Sequence, residues 1–283
     1  MPALIDIRRR IRSVKNTQQI TKALKMVSAA KLRRAQESMF AARPYARTMA
    51  QVLKDVASRT EGEENHPLFR ATSGNGKVLV IVVTADKGLC GAFNSSLLRV
   101  AQRFLTENAN RPIAVDAVGR KGRDFLRRRT TVRKEYIGVF QTLKYAKAQE
   151  IAQSAIQAFL DHEVDEVVLL YNEFKSVIQQ RIVTQRLLPL DAVHGEEKGT
   201  QEYVYEPDPR TIFDKLLPKV VEITVWQALL ESNAAEHGAR MAAMDSATRN
   251  ASQTIDSLTL YMNKVRQAAI TKEIIEVVSG SAA

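Results

Sequence analysis

One cysteine and four histidines are all that 283 residues hold of the side chains most used for covalent, redox and metal chemistry. A lone Cys90 excludes an internal disulfide and fits a reducing cytoplasm. The scattered histidines offer no metal-ligand spacing, so no metal or other cofactor is expected. No uncharged apolar run reaches the roughly 18 residues that a membrane-spanning helix needs. The start, MPALIDIRRR, puts charges where a signal peptide needs its apolar stretch, so export is not expected. Also missing are G-x-x-x-x-G-K-[ST] and G-x-G-x-x-G, the glycine patterns that cradle phosphates.

What the chain does have is helix. Asp208 to Ser279 reads as one uninterrupted helix apart from Pro218 and Gly238. From Met241 a seam recurs in steps of three and four: Met244, Thr248, Ala251, Ile255, Leu258, Met262, Val265 and Ala269. That spacing is the coiled-coil signature, and roughly 105 Å of helix needs a partner along its length. Residues 4 to 57 carry a second register through Ile7, Ile11, Val14, Gln18, Thr21, Lys25, Ser28, Leu32, Ala35 and Met39, ending at Leu53 and Val56. Its middle is polar, while Ile20, Ala23, Leu24, Val27 and Ala30 are apolar nearby. The expectation is that the buried face rotates there or a different partner takes over. Pro44 should bend this helix. Twelve lysines and arginines lie within residues 1–50 against Asp6 and Glu37, so this helix carries nearly all of the net charge of +11. Such a concentration predicts an acidic partner or a solvated basic face.

Between the helices the period changes. Val78 to Val83 is a continuous β-branched run, as in a parallel strand buried on both faces. A helix from about Asn94 to Thr106, capped by Asn94 or Ser95, is expected next. Strands at Pro112–Val118, around Val132–Val139 and at Glu166–Tyr171, with helices at Lys121–Arg128 and Tyr145–Leu160, complete an alternating pattern. Val177 to Leu188 fits an antiparallel edge strand. Asp208 then caps, and Pro209 opens, the terminal helix. The fold class is α/β: an antiparallel coiled coil of long N- and C-terminal helices with an inserted Rossmann-like α/β domain. The expected divisions are 1–58, 77–190 and 208–280, the first packing with the last. A parallel homodimer is the alternative pairing. The helices are unequal, so part of one must run unpaired, at an end that the pattern leaves open.

No catalytic constellation emerges. Asp86 to Gly91 sits at a strand-to-helix junction, but its glycines fit a tight turn better than a phosphate cradle. Cys90 has no histidine near it in sequence and reads as a core residue. Glu273 and Glu276 lie one turn apart, yet a thin coiled coil provides no pocket for acid–base work. Phosphate binding by the basic helix is disfavoured because its charges circle the helix and no stacking aromatics accompany them, so no nucleic acid is expected.

Four ordered stretches carry a resemblance: Ile7 to Leu24, Asp86 to Gly91, Tyr205 to Asp208, and Ala268 to Gly280. Over essentially its whole length the chain resembles the γ subunits of bacterial F-type ATP synthases. The last stretch looks like that family's C-terminal signature, here Ile270, Thr271, Glu273, Glu276, Ser279 and Gly280. The resemblance implies a non-catalytic rotor shaft inside the hexamer of α and β subunits, with its foot beside the ε subunit on the c-subunit ring. It implies peripheral attachment to the cytoplasmic face of the bacterial plasma membrane, and coupling of proton flow to ATP synthesis. It also implies that Arg266, Gln267 and Thr271 reach β-subunit loops and that Lys22 and Lys25 lie by an acidic β segment. Tyr203, Tyr205 and Glu206 match positions that touch the c ring. Lys25 stands where relatives often carry an acidic residue, and Lys272 where glutamine is frequent. No cysteine pair occurs near residues 190–210, so the thiol switch of chloroplast relatives is not expected.

Overall fold

The computed structural model describes residues 4–57, 66–70, 76–191, 206 and 208–281. Helix α1 spans Leu4–Ala57 and helix α5 spans Pro209–Ser281. Between them lie β1 (Val78–Val83), α2 (Phe93–Glu107), β2 (Ile113–Val118), α3 (Arg120–Leu126) and β3 (Val132–Tyr136). Then come α4 (Tyr145–Leu160), β4 (Glu166–Phe174) and β5 (Gln180–Leu188). The sheet order is β3-β2-β1-β4-β5; β5 alone runs antiparallel, on β4.

Burial follows from the period-two geometry of strands. All six residues of β1 are buried. Leu79, Ile81 and Val83 join a core with α4, the end of α1 and the base of α5, including Phe213, Leu217 and Val221. Val78, Val80 and Val82 face the opposite way, onto Leu97, Leu98 and Ala101 of α2 and Leu126 of α3. Buried Glu222 fixes α4 on α5: it accepts from Tyr145 Oη at 2.9 Å and Lys219 Nζ at 2.8 Å. Burial alone would raise its pKa, but the Lys219 and Tyr145 hydrogen bonds hold it below the usual value. The first turn of α5 is closed as its sequence predicts, Thr211 N donating to Asp208 Oδ1 at 2.9 Å. Pro218 is accommodated within the helix, as is Pro44 in α1.

Helix α2 departs from expectation. It begins at Phe93 with Ala92 as its cap residue and no side-chain cap bond. Asn94 turns its Oδ1 back to accept from Ala85 N at 2.9 Å, tying the helix to the end of β1.

Higher up, α5 leaves the sheet and pairs antiparallel with α1. Thr248 Oγ1 lies 2.8 Å from Thr21 Oγ1, and Lys25 Nζ lies 2.5 Å from Asp245 Oδ1. The seam is therefore satisfied within one chain, as the antiparallel reading requires. The single α1 register stays inward throughout, every position from Ile7 to Val56 being buried or half-buried. The expected rotation of the buried face is wrong: Ile20, Ala23, Val27 and Ala30 are exposed. The polar seam positions instead satisfy themselves. Ser28 Oγ donates to Leu24 O at 2.7 Å and Thr21 Oγ1 to Gln18 O at 3.0 Å, so burying them leaves no orphaned hydroxyl.

Candidate functional site

Two regions stand out on this frame, the free end of α5 and the junction where α5 crosses the sheet. Continued from Thr21 with Thr248, the pairing register brings Leu4 level with about Val265. Beyond that point, among the described residues, α5 has no turn of α1 beside it. Every residue from Ile270 to Gly280 is exposed, including the apolar Ile274, Ile275, Val277 and Val278. This answers which end runs unpaired: the C-terminal one.

The expected contact residues distribute accordingly. Arg266 and Gln267 are exposed near the last paired turn. Thr271 is exposed and donates its hydroxyl to Gln267 O at 2.9 Å, so its oxygen keeps free lone pairs. Ile270, Glu273, Ser279 and Gly280 are also exposed, and Glu276 pairs loosely with Lys272 at 3.4 Å. Lys22 points outward. Lys25 does not stand free, because Asp245 across the seam holds its ammonium. That pairing, helped by Arg249, keeps the Asp245 carboxyl below its usual range. Glu206 is exposed, whereas Tyr203 and Tyr205 lie outside the described residues.

At the junction, the turn from Asp86 to Gly91 meets α5. Leu89 and Gly91 have positive φ of 62° and 56°, which makes the turn tight. Arg240 donates from Nη2 and Nε to Gly88 O at 3.1 and 3.3 Å, and from Nη2 to Glu236 Oε1 at 2.7 Å. Burial pushes Glu236 up despite the pull of Arg240. Burial, reinforced by the Arg240 and Lys31 charges, pushes His237 down to about 4. Gly238 stands where the Phe174 ring comes within 3.3 Å of the place a Cβ would take.

The groove left beside this turn, about 280 Å³, is lined by Cys90, Phe93, Asn172, Val177, Ala239 and Ala243 among others. Cys90 is buried and its thiol pushed up by that burial, which suits packing and opposes nucleophilic use. Among the described residues no cluster of histidine, cysteine, aspartate and glutamate could hold a metal ion. Nor is any described helix long and apolar enough to cross a membrane. Sequence reasoning missed the Glu236, His237 and Arg240 group. Its one local signal was the i,i+4 Glu–Arg pair flanking Gly238.

Comparison with known proteins decides among readings of this geometry. A family profile described as ATP synthase matches residues 3–283. The ATP synthase gamma chain of Solibacter usitatus is 53% identical over 287 residues, spanning 100% of this chain and 99% of that one. The chain belongs to the ATP synthase gamma chain family. The gamma chain of Geotalea uraniireducens is 49% identical, across 99% of this chain and 98% of that one. Among solved structures, a chain from the central stalk and c-ring of Tetrahymena thermophila mitochondrial ATP synthase is 28% identical. Its TM-score is 0.62, over 81% of this chain and 99% of that one. A chain from the OSCP/F1/c-ring assembly of Euglena gracilis mitochondrial ATP synthase shares the fold at 19% identity. There the TM-score is 0.69, over 99% of this chain and 94% of that one. The two-helix shaft with an inserted sheet is thus the gamma chain fold.

Proposed function

We propose that the chain is the non-catalytic central-stalk shaft of a proton-translocating F-type ATP synthase. It couples rotation of a membrane c ring to the conformational cycle of catalytic β sites, and so regulates ATPase activity and proton flow. One observation carries this reading. The C-terminal end of α5 continues past the seam as a single exposed helix that has no ionisable side chain after Glu276. A tip that must turn within a surrounding sleeve gains from apolar contact, which is non-directional, and loses from fixed charge pairs, which would hold one angle.

In this reading the hexamer of α and β subunits surrounds the shaft. Arg266, Gln267 and Thr271 meet β loops near the top, and Lys22 meets an acidic β segment lower down. Lys25 acts mainly by bracing the seam through Asp245. Tyr203, Tyr205 and Glu206 belong to the foot that rests with the ε subunit on the c ring, at the cytoplasmic face of the plasma membrane. Residues 1–58 and 208–280 make the shaft, and 77–190 make the foot.

Purification from membranes tests the reading. An affinity tag on an exposed loop of the foot should bring down α, β, ε and c subunits in one complex. Immobilised by its hexamer, that complex should rotate a probe attached to the foot during ATP hydrolysis. A tagged chain that returns without α and β subunits overturns it.

A further inference from the structure

The sheet reverses its strand order between β1 and β4, and the crevice above the carboxyl ends of such strands is where doubly wound folds hold their ligands. In this chain α5 lies across that crevice. Ala239 and Ala243 line it, and a Cβ on Gly91 would stand 3.7 Å from that of Ala243. The guanidinium of Arg240 reaches into the turn and donates twice to Gly88 O. Its side chain and that of Glu236 are only 12% and 7% accessible.

Gly88 belongs to the same turn as Asp86. The Asp86 carboxylate accepts the N–H of Arg120 at 3.0 Å and that of Gly138 at 3.1 and 3.2 Å. Arg120 follows β2 and Gly138 follows β3, so the turn gathers the carboxyl ends of three neighbouring strands. A force applied at Gly88 is therefore passed to most of the sheet. Around the bond the junction is packed by small side chains, Ala234, Ala235, Ala239 and Ala35, together with the larger Leu32, Phe93, Phe174 and Leu230. Such packing resists separation, but the hydrophobic effect behind it is non-directional. A buried, charge-assisted hydrogen bond has both direction and strength.

We infer that Arg240 is a positioning residue for torque: it reaches from α5 onto the turn beside the crevice of the α/β domain and locks that foot against slipping on the shaft. This rests on the rotary reading above. Rotation of the foot loads the junction in shear, and the Arg240–Gly88 link is a directional contact that carries that load into α5 at the sheet's carboxyl edge, as Tyr145–Glu222 does at the base.

The experiment uses the whole complex in inverted membrane vesicles, with ATP hydrolysis and ATP-driven proton pumping measured on the same sample. Arg240→Met should assemble and hydrolyse ATP, while protons pumped per ATP fall by at least about threefold, as expected when a charged hydrogen bond is lost. Adding Cys90→Ala, Gly91→Cys and Ala243→Cys to Arg240→Met places two thiols within disulfide reach. Oxidation should restore pumping per ATP and reduction should lower it again. The same cysteines with Arg240 intact serve as control, since a positive φ strains any side chain at Gly91.

Unchanged pumping per ATP in Arg240→Met overturns the proposal. So does an Arg240→Met chain that neither assembles nor is rescued by the cross-link, which marks a folding residue only. Absence of the unaltered chain from complexes with α and β subunits counts against the rotary reading itself. Normal assembly with unaltered coupling counts against Arg240 alone.

Discussion

Lys25 shows how much one contact can change a residue's meaning. Read along the sequence it is one of twelve cations on a basic helix. In the fold it is spent on Asp245, which also holds Arg249. Lys25→Glu and Asp245→Lys should each lower the melting temperature of the chain, and the double exchange should recover most of the loss. Losses that simply add would rule out a direct pair. His237 provides a pH test. It protonates near its ordinary 6.5 when unfolded and only near about 4 when folded. Its neutral form therefore contributes stability above pH 6.5, and that contribution is lost as pH falls toward 4. Glu236 beside it, raised by burial, acts oppositely and gains on acidification. The stability gap between the unaltered chain and His237→Gln should thus narrow between pH 6.5 and 4 in urea titrations. A gap that is constant across this range contradicts the burial argument. At this scale the seam was legible, because a register constrains every third or fourth residue. Ile20 and Val27 lie off that register and are exposed, so of the two expectations it is the rotation of the buried face that fails. The self-satisfied hydroxyls of Thr21 and Ser28 show why register won.

Among elements, the strands announced themselves through composition. A run such as Val78 to Val83 suits a surface packed on both faces and little else. The start of α2 was misread because Asn94 is a good capping residue with a better use, its bond to Ala85 N. Helix α5 changes partners along its length: sheet and α4 at its base, α1 above, and neither at its end. Ile270 to Gly280 are all exposed, so removing Val277 to Ala283 should leave the paired turns up to Val265 in place. Its unfolding free energy should stay within about 0.5 kcal/mol of the full chain, as for changes that touch no packed site. Assembly should survive, with only a modest fall in rotation. Complete loss of assembly on this truncation would show that the tip does more than ride in a bearing.

For the whole molecule, charge and shape divide the work. Nearly all of the excess +11 lies on α1, one wall of the shaft, so capture by an acidic surface should be steered electrostatically. The association rate with α and β subunits should fall as ionic strength rises from about 0.05 to 0.5 M, where screening lengths shrink below the helix diameter. A rate indifferent to salt would make the charge mere solvation. The junction of foot and shaft was the least legible part of the design. Gly88 and Arg240 are 152 residues apart, and neither periodicity nor composition links a turn glycine to a helical arginine. Only the crossing of α5 over the sheet brings them together.

The single-helix end of α5 carries a kinetic consequence. A free helix of about fifteen residues barely persists in water, because its first turn must be nucleated at a loss. Here the paired turns up to Val265 supply that nucleus, so the end grows from a template and each further turn forms or melts by propagation alone. In the solitary chain its amides should exchange with solvent in a gradient, slowest beside Val265 and fastest toward Gly280. A sleeve closing round it would erase that gradient. The far end of the shaft is then a zipper that opens and shuts within microseconds until its housing stops it.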